Sequence, residues 1–359
     1  MILFAWHSAL PATAFGWWEI VQAHWLAIVL LAGAVCTVTY LIMLGRNVKL
    51  GYNIMRDTLI PLGMVSNGSE ELGGQELEFR SLEGIGLRGT LIRGRIPESG
   101  QATVIFCHEF GANKNSSLRY CKGLLDAGFD VFAFDFRNHG HSSHQPSYTP
   151  RQWPTEKEIS DVLGACAFIE SRHSKDHPIG LFGVSRGGGA AIMAAAQTDA
   201  VRAVITDGVF STDWTLEAII ERWVGIFARL AVVYKHLPQF FRFYRWMVLG
   251  MAELKLKCRF PSTHKILNKM APRPLFLIHG KKDSYIKPEQ ALRIYNQARE
   301  PKFIWIVPKA KHNRSVEVAP DLYAKRTVAF FKEYLLQATN VQEETTFERI
   351  AELKPIGAA

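Results

Sequence analysis

The chain has 359 residues, which is enough for one large domain or two small ones. Hydrophobic residues make up 48% of the chain, and this excludes an intrinsically disordered protein. The formal net charge of +9 allows an acidic partner, such as an anionic membrane surface or a nucleic acid. No zinc-finger, RNP or Walker A pattern accompanies the charge, so we expect no nucleic-acid partner. The five cysteines are odd in number and unpaired in spacing, which argues against a disulfide framework.

The first feature in chain order is an uncharged apolar stretch from Trp25 to Leu44. About 20 such residues cross a bilayer core, and aromatic residues flank the stretch as they flank membrane spans. A cleaved signal peptide fits poorly, because no basic segment precedes the stretch and the apolar run is too long. A buried core helix is the other alternative. Arg46, Lys49 and Arg56 follow the stretch and no Lys or Arg precedes it, so we predict a single-pass membrane anchor with the main domain in the cytoplasm.

Composition divides the chain into an anchor, a linker, a core in two halves, a cap and a tail. The predicted boundaries are 1–45 for the anchor, 46–75 for the linker, 76–211 and 272–337 for the core halves, 212–271 for the cap and 338–359 for the tail. Residues 1–18 are either a second short span or an interfacial segment. In the core, short apolar strands alternate with helical stretches, which indicates a parallel α/β sheet. The cap has no clear strand and is rich in aromatic and basic residues, so we predict an inserted helical element.

The strongest motif is Gly183-Val184-Ser185-Arg186-Gly187, a G-x-S-x-G between an apolar strand and an alanine-rich helix. A sharp turn from strand to helix strains the serine backbone and lifts its hydroxyl above the sheet edge. Side chains two residues to either side would clash in such a turn, which explains both glycines. The motif predicts that Ser185 is a nucleophile and that the Arg186 N–H points to the position where an oxyanion would form.

A serine nucleophile needs a histidine as base and a carboxylate that orients the histidine. Asp283 comes just after the apolar strand LFLIHG, and His312 comes just after the next strand. The order Ser185, Asp283, His312, with each residue at a strand end, predicts a catalytic triad. Asp207, which follows the sixth strand, is the alternative acid.

These features resemble the α/β-hydrolase-fold serine hydrolases over roughly residues 76–337. The motifs that carry the resemblance are His108-Glu109-Phe110-Gly111, the run DFRNHGHS from Asp135, the G-x-S-x-G, the run HGKKD that ends at Asp283, and His312. The resemblance implies a mostly parallel sheet with helices on both faces and a helical cap insertion. It also implies an oxyanion hole in which Phe110 and Arg186 supply the two N–H donors.

The chain departs from the family pattern at two positions where glycine is usual. Asn138 is one of them, and asparagine tolerates unusual backbone angles. Glu109 is the other, and its carboxylate would oppose a negative charge developing in an oxyanion hole. We therefore expect the Glu109 side chain to point away from the hole, toward a basic partner.

Two further patterns suggest ligands. Gly84 to Gly89 match G-x-G-x-x-G, but a strand-like run follows where a dinucleotide site needs a helix, so a hairpin turn is favoured. His139, His141 and His144 have the spacing of a zinc site, but the hydrolase-like loop accounts for the same residues. We expect neither a metal nor an organic cofactor.

The sequence thus predicts a membrane-anchored serine hydrolase that cleaves carboxylic esters through an acyl-enzyme on Ser185, with thioesters and amides as alternative bonds. The expected substrate is a small-molecule acyl ester or a lipid-like molecule. A serine peptidase or aminopeptidase of the same fold is one alternative. A non-catalytic membrane scaffold is the other, although degenerate relatives usually lose the serine or the histidine, and both are present here.

Overall fold

The structure is a computed structural model that describes residues 12–57, 72–96, 100–227 and 238–336. The chain divides into two compact units, Met1–Ile54 and Met55–Ala359. The predicted tail and residues 1–11 of the predicted anchor lie outside the described residues.

Helix α1, Ala12–Asp57, contains the predicted anchor. Its section His24–Asp57 is long and apolar enough to cross a membrane, judged by length and composition. Large apolar side chains in this section are exposed, among them Leu30 and Leu31, whereas a core helix would bury them.

The predicted linker starts too early, because α1 continues through residues 46–57. Arg46 and Lys49 end the apolar run, but Arg and Lys are good helix formers and no proline follows within α1. A change of composition was therefore mistaken for the end of a helix. Residues 58–71 of the predicted linker lie outside the described part of the chain.

An eight-stranded sheet lies at the centre of the second unit, in the order β1-β2-β4-β3-β5-β6-β7-β8. The strands are β1 Gln75–Arg80, β2 Gly86–Ile92, β3 Thr103–Cys107, β4 Asp130–Phe134, β5 Ile179–Val184, β6 Val201–Asp207, β7 Leu275–Gly280 and β8 Lys302–Val307. Strand β2 is antiparallel to β1 and β4, and all other neighbours are parallel. The G-x-G-x-x-G pattern lies in the β1–β2 hairpin, where Gly84 has a φ of 82°.

Helices and their connections cover both faces of the sheet. They are α2 Ser117–Asp126, α3 Glu156–Arg172, α4 Arg186–Ala195, α5 Thr212–Phe227, α6 Pro238–Leu256, α7 Thr263–Ile266, α8 Pro288–Gln297, α9 Ser315–Val318 and α10 Pro320–Phe331. Successive strand residues point to opposite faces, so Ile105 packs in the cluster that contains α3 and α4 residues, while Val104 and Phe106 pack with α2 and α10. Because both faces are buried, these strands are continuously apolar rather than alternating.

The parallel strands bring the predicted site residues to one edge of the sheet. Val184 at the end of β5 pairs with Asp207 at the end of β6, and Gly280 at the end of β7 pairs with Val307 of β8. The loops that leave these ends therefore start side by side. Between β6 and β7, the described residues of the predicted cap form α5, α6, α7 and a 3₁₀ turn, and residues 228–237 lie outside the description.

Candidate active site

Ser185 occupies the tight turn between β5 and α4. Its backbone has φ 51° and ψ −115°, a conformation that costs a non-glycine residue energy and that neighbouring contacts must hold in place. One such contact is the Ser185 N–H, which donates to the carbonyl of Asp207 at 2.7 Å. A Cβ on Gly183 would lie 2.5 Å from the Cα of Gly188, and a Cβ on Gly187 would collide with the Cys107 carbonyl. Both glycines of the motif are thus required by close backbone approach.

The structure brings Ser185, His312 and Asp283 together in a hydrogen-bonded row. Ser185 Oγ lies 3.0 Å from His312 Nε2, and His312 Nδ1 lies 2.5 Å from Asp283 Oδ2. The three residues are buried, with exposed fractions of 3%, 7% and 4% respectively. In this arrangement the carboxylate accepts the Nδ1–H, so the unprotonated Nε2 faces the serine hydroxyl and can take its proton.

Asp283 is held as a charged carboxylate by donors on both of its oxygens. Oδ1 accepts from the N–H groups of Tyr285 and Ile286, each at 2.9 Å. Oδ2 faces two imidazoles, His312 and, at 3.3 Å, His279 Nε2. Burial opposes the charge, but the hydrogen bonds from His279 and His312 outweigh it and hold the pKa of Asp283 below its usual range.

His279 is a supporting residue that sequence reasoning did not single out. It is fully buried at the end of β7, and its Nε2 donates to the Ile286 carbonyl at 2.7 Å as well as facing Asp283. Nε2 of His279 therefore contacts two points of the loop that carries the carboxylate, Asp283 itself and Ile286. Its position in HGKKD, four residues before Asp283, was the available signal.

Asp207, the alternative acid, has other partners. Its carboxylate accepts from the hydroxyls of Ser315 and Tyr323, each at 3.0 Å. Burial raises the pKa of Asp207 to about 6, against the hydrogen bonds from Tyr323 and Ser315. Asp283, and not Asp207, is the carboxylate hydrogen-bonded to His312.

The two residues of the predicted oxyanion hole follow neighbouring strands, Phe110 in the loop after β3 and Arg186 at the start of α4 after β5. Among the described residues, no acceptor is found for the N–H of Phe110. Arg186 is the first residue of α4, where N–H groups have no acceptor inside the helix. His108 fixes the base of this loop: its Nδ1 donates to the Glu109 carbonyl at 2.7 Å, and its Nε2 accepts from the Phe136 N–H at 3.2 Å. Two N–H donors are thus available for an oxyanion.

The Arg186 side chain supports the same loop. Its guanidinium lies 5.2 Å from the ring centroid of Phe110 and 5.4 Å from that of Phe136, within the range of cation–π attraction. It also lies 3.2 Å from His139 Nε2, while His139 Nδ1 donates to the Arg137 carbonyl at 2.9 Å. Burial and the neighbouring Arg186 lower the pKa of His139 to about 4, so the imidazole is neutral and accepts from the guanidinium.

Glu109 is buried, and its hydrogen-bond partners are hydroxyl groups rather than the basic side chain that we expected. Its carboxylate accepts from Ser116 Oγ at 3.1 Å and, at 3.5 Å, from the Tyr120 hydroxyl of α2. Burial raises the pKa of Glu109, which favours the uncharged form. Asn138, the other departure from the family pattern, has the positive φ (59°) that its side chain tolerates.

The comparisons with known proteins agree with this architecture. Residues 102–231 match a family model described as the alpha/beta hydrolase fold. The uncharacterized protein YqkD of Bacillus subtilis is 27% identical over 241 residues, which cover 65% of this chain and 72% of that protein. The human protein ABHD12B is 26% identical over 227 residues, 60% of this chain and 56% of its own length. The esterase Pf2001 of Pyrococcus furiosus superposes with a TM-score of 0.55 at 22% identity, covering 74% of this chain and 92% of that one. The chain therefore has the α/β-hydrolase fold, which confirms the predicted fold class.

Proposed function

We propose that the chain is a serine hydrolase that acts through a covalent acyl-enzyme. The observation that carries the proposal is the hydrogen-bonded row from Ser185 through His312 to Asp283, on a strained turn at the edge of an α/β-hydrolase sheet. The hydrogen bonds to both oxygens of Asp283 favour a charged carboxylate beside the imidazole. The contact between Ser185 and His312 also argues against a non-catalytic scaffold, because both residues are present and hydrogen-bonded.

The reaction proceeds in two halves. Ser185 Oγ attacks the acyl carbon while His312 Nε2 takes its proton, and the carbonyl oxygen becomes an oxyanion. The tetrahedral intermediate collapses, the bond to the leaving alcohol breaks, and His312 returns the proton to that alcohol. Water then attacks the acyl-enzyme with the same base, and the carboxylic acid and free Ser185 are released.

The N–H groups of Phe110 and Arg186 stabilise the oxyanion in both halves. Removing one such donor in comparable sites costs about 10²- to 10³-fold in turnover. The Arg186 guanidinium stacks on Phe110 and so keeps this backbone segment close to the serine turn.

The proposed substrates are acyl esters, including lipid-like ones. A solved structure of the same fold is described as an esterase, which supports the ester bond over the amide. The helical insertion of residues 212–271 is proposed to cap the acyl pocket. It begins just after the end of β6, and β6 is the neighbour of β5, whose end carries Ser185.

The direct test is labelling with a fluorophosphonate probe, which modifies an activated serine. The wild-type chain should be labelled and the Ser185→Ala variant should not, with a loss of turnover on the order of 10⁶-fold. Ser211→Ala, another buried serine, is the matched control and should keep the label. Equal labelling of the wild type and the Ser185→Ala variant would overturn the mechanism.

A second assay compares p-nitrophenyl esters of increasing acyl-chain length with aminoacyl anilides, and it separates an esterase from a peptidase.

We further propose that α1 anchors the enzyme in a membrane, with the second unit on the cytoplasmic side. The length and composition of His24–Asp57 and the positive charges after Leu44 support this. The full chain should stay in the membrane fraction through a carbonate or high-salt wash, because salt screens charge but does not weaken apolar insertion. Recovery of the chain in the wash would refute the anchor.

Added protease should digest the second unit in inside-out vesicles and spare it in right-side-out vesicles; the reverse pattern would overturn the orientation.

A further inference from the structure

Helix α6, Pro238–Leu256, exposes large apolar side chains that a soluble helix would turn inward. The exposed fraction is 49% for Phe243, 67% for Trp246 and 77% for Leu254. The opposite side of the helix is conventionally packed, with Val248 and Ala252 fully buried. The exposure is therefore a property of one face and not of a detached helix.

These exposed residues share a single stripe. At 3.6 residues per turn, Phe243, Trp246, Gly250 and Leu254 fall within an arc of about 80°. We call these four residues the outer face of α6. The rings of Phe243 and Trp246 stack at a centroid distance of 5.8 Å, so the aromatic part of this face is continuous. Contiguous exposed apolar surface of this kind marks an interaction site.

The exposed charged side chains of α6 and of the residues directly after it are basic. Arg242 and Lys255 of α6 are exposed, and so are Lys257 and Arg259 directly after it. The acidic residue of α6, Glu253, is half-buried and accepts a hydrogen bond from the Phe260 N–H at 2.9 Å. The surface around the outer face therefore offers positive charge and no fully exposed carboxylate on the helix itself.

Aromatic and aliphatic residues on one face, flanked by Lys and Arg, are the pattern of a helix that lies in the plane of a bilayer surface. The apolar face enters the boundary between headgroups and acyl chains, and the basic residues contact anionic headgroups. We propose that the outer face of α6 binds the surface of an anionic membrane, as a second membrane contact of the chain besides α1. This inference builds on the membrane location proposed above, but it concerns a different element and has its own test.

The test places an environment-sensitive fluorophore at one position of the full chain. Cys36 is exposed and the other four cysteines are buried, so a Cys36→Ser background leaves one new reactive thiol. Leu254→Cys carries the nitrobenzoxadiazole label on the outer face. Leu292→Cys is the matched control, because Leu292 is also an exposed leucine on a helix but lies between exposed polar residues of α8. Fluorophosphonate labelling of Ser185 checks that each variant is folded.

Each labelled chain is reconstituted into vesicles of phosphatidylcholine alone or of an equimolar mixture with phosphatidylglycerol. In the mixed vesicles, the label at position 254 should shift to shorter emission wavelength and should be quenched by spin-labelled lipid. The label at position 292 should stay water-exposed in both. A label at position 254 that stays water-exposed in mixed vesicles would overturn the proposal. Flotation of the chain with the vesicles separately tests whether α1 anchors it.

Charge reversal separates a lipid surface from a protein partner. Lys255→Glu with Lys257→Glu should abolish the shift at position 254, whereas Lys325→Glu with Lys332→Glu on the surface of α10 and its continuation should preserve it. A shift that depends on protein concentration and is the same in both lipid compositions would show that a second copy covers the outer face, and it too would overturn the proposal.

Discussion

The ends of β6 and β7 carry the same residue type in neighbouring positions, with opposite results. Asp207 ends β6 and Asp283 lies three residues after β7, and both carboxylates are buried with hydrogen-bond donors on both oxygens. The donors differ: hydroxyl groups serve Asp207, while backbone N–H groups and imidazoles serve Asp283. Burial raises the pKa of both carboxylates; the hydroxyl hydrogen bonds do not offset it at Asp207, whose pKa is raised, but the hydrogen bonds from His279 and His312 outweigh it at Asp283, whose pKa is lowered.

The difference teaches that a strand-end position does not decide which carboxylate serves the histidine. Asp207 supports the turn instead, since its backbone carbonyl accepts from the Ser185 N–H and its side chain connects to α9 and α10 through Ser315 and Tyr323. Asp283 has the donors that stabilise negative charge next to His312. Asp207 thus holds the Ser185 turn through its backbone carbonyl, whereas the carboxylate of Asp283 is hydrogen-bonded to His312.

The largest test of this contrast replaces each carboxylate by its amide. Asp283→Asn should lower kcat/KM about 10⁴-fold, because the amide cannot hold His312 in the tautomer that presents Nε2 to Ser185. Asp207→Asn should stay within about tenfold of the wild type, since its side chain is hydrogen-bonded to Ser315 and Tyr323 rather than to His312 and the amide loses one acceptor. The measurement is hydrolysis of a p-nitrophenyl ester by both variants at one pH. If Asp207→Asn were the more damaged variant, the assignment of the acid would be reversed.

Sequence patterns predicted much of this arrangement because they depend on local physics. The apolar runs ending at Val184, Asp207 and Gly280 are strands, as continuous burial of a parallel sheet requires. The glycines around Ser185 were predicted from close backbone approach, and the structure has that approach. The assignment of the Phe110 and Arg186 N–H groups as oxyanion donors stays a prediction.

Long-range pairing could not be predicted in the same way. The residues around Arg186 in the sequence do not predict that its guanidinium stacks on Phe110, which lies 76 positions earlier. Glu109 was expected to find a basic partner, but its hydrogen bonds come from the hydroxyls of Ser116, just before α2, and of Tyr120 in α2, while Arg119 acts on it only through its charge. The end of α1 was misplaced for a different reason: the charged residues after the apolar run form helix as readily as the apolar ones.

A second test uses the pH dependence of stability. The pKa of Asp207 is about 6 in the folded chain and near 4 in an unfolded one, so the folded state binds the extra proton between these values. Its contribution to stability is fully present below about pH 4 and is lost as the pH rises through about 6, by roughly 1 to 3 kcal/mol. In Asp207→Asn this loss is absent. The free energy of unfolding of the wild type should therefore fall more between pH 4 and pH 7 than that of Asp207→Asn.

The measurement is denaturant unfolding of both chains in detergent across that pH range. Asp321→Asn removes an exposed carboxylate from the start of α10 and is the control, which should follow the wild type. Parallel pH profiles for the wild type and Asp207→Asn would contradict the raised pKa.

The smallest expected effect on activity comes from replacing His279, which tests whether this residue stabilises the charge of Asp283. His279→Leu removes a donor from Oδ2, so the pKa of Asp283 should rise and the acid limb of the pH–rate profile should move to higher pH. We expect a loss of about tenfold in kcat/KM at neutral pH, the order expected for one hydrogen bond to a charged group. His279→Gln can keep an N–H donor near the position of Nε2 and should recover much of the loss and the original acid limb. If His279 only filled space, His279→Leu would be the more active variant, because leucine packs in an apolar site whereas glutamine buries an amide that needs hydrogen-bond partners. Equal activity losses in both variants, with an unmoved acid limb, would show that His279 only supports the fold of the loop.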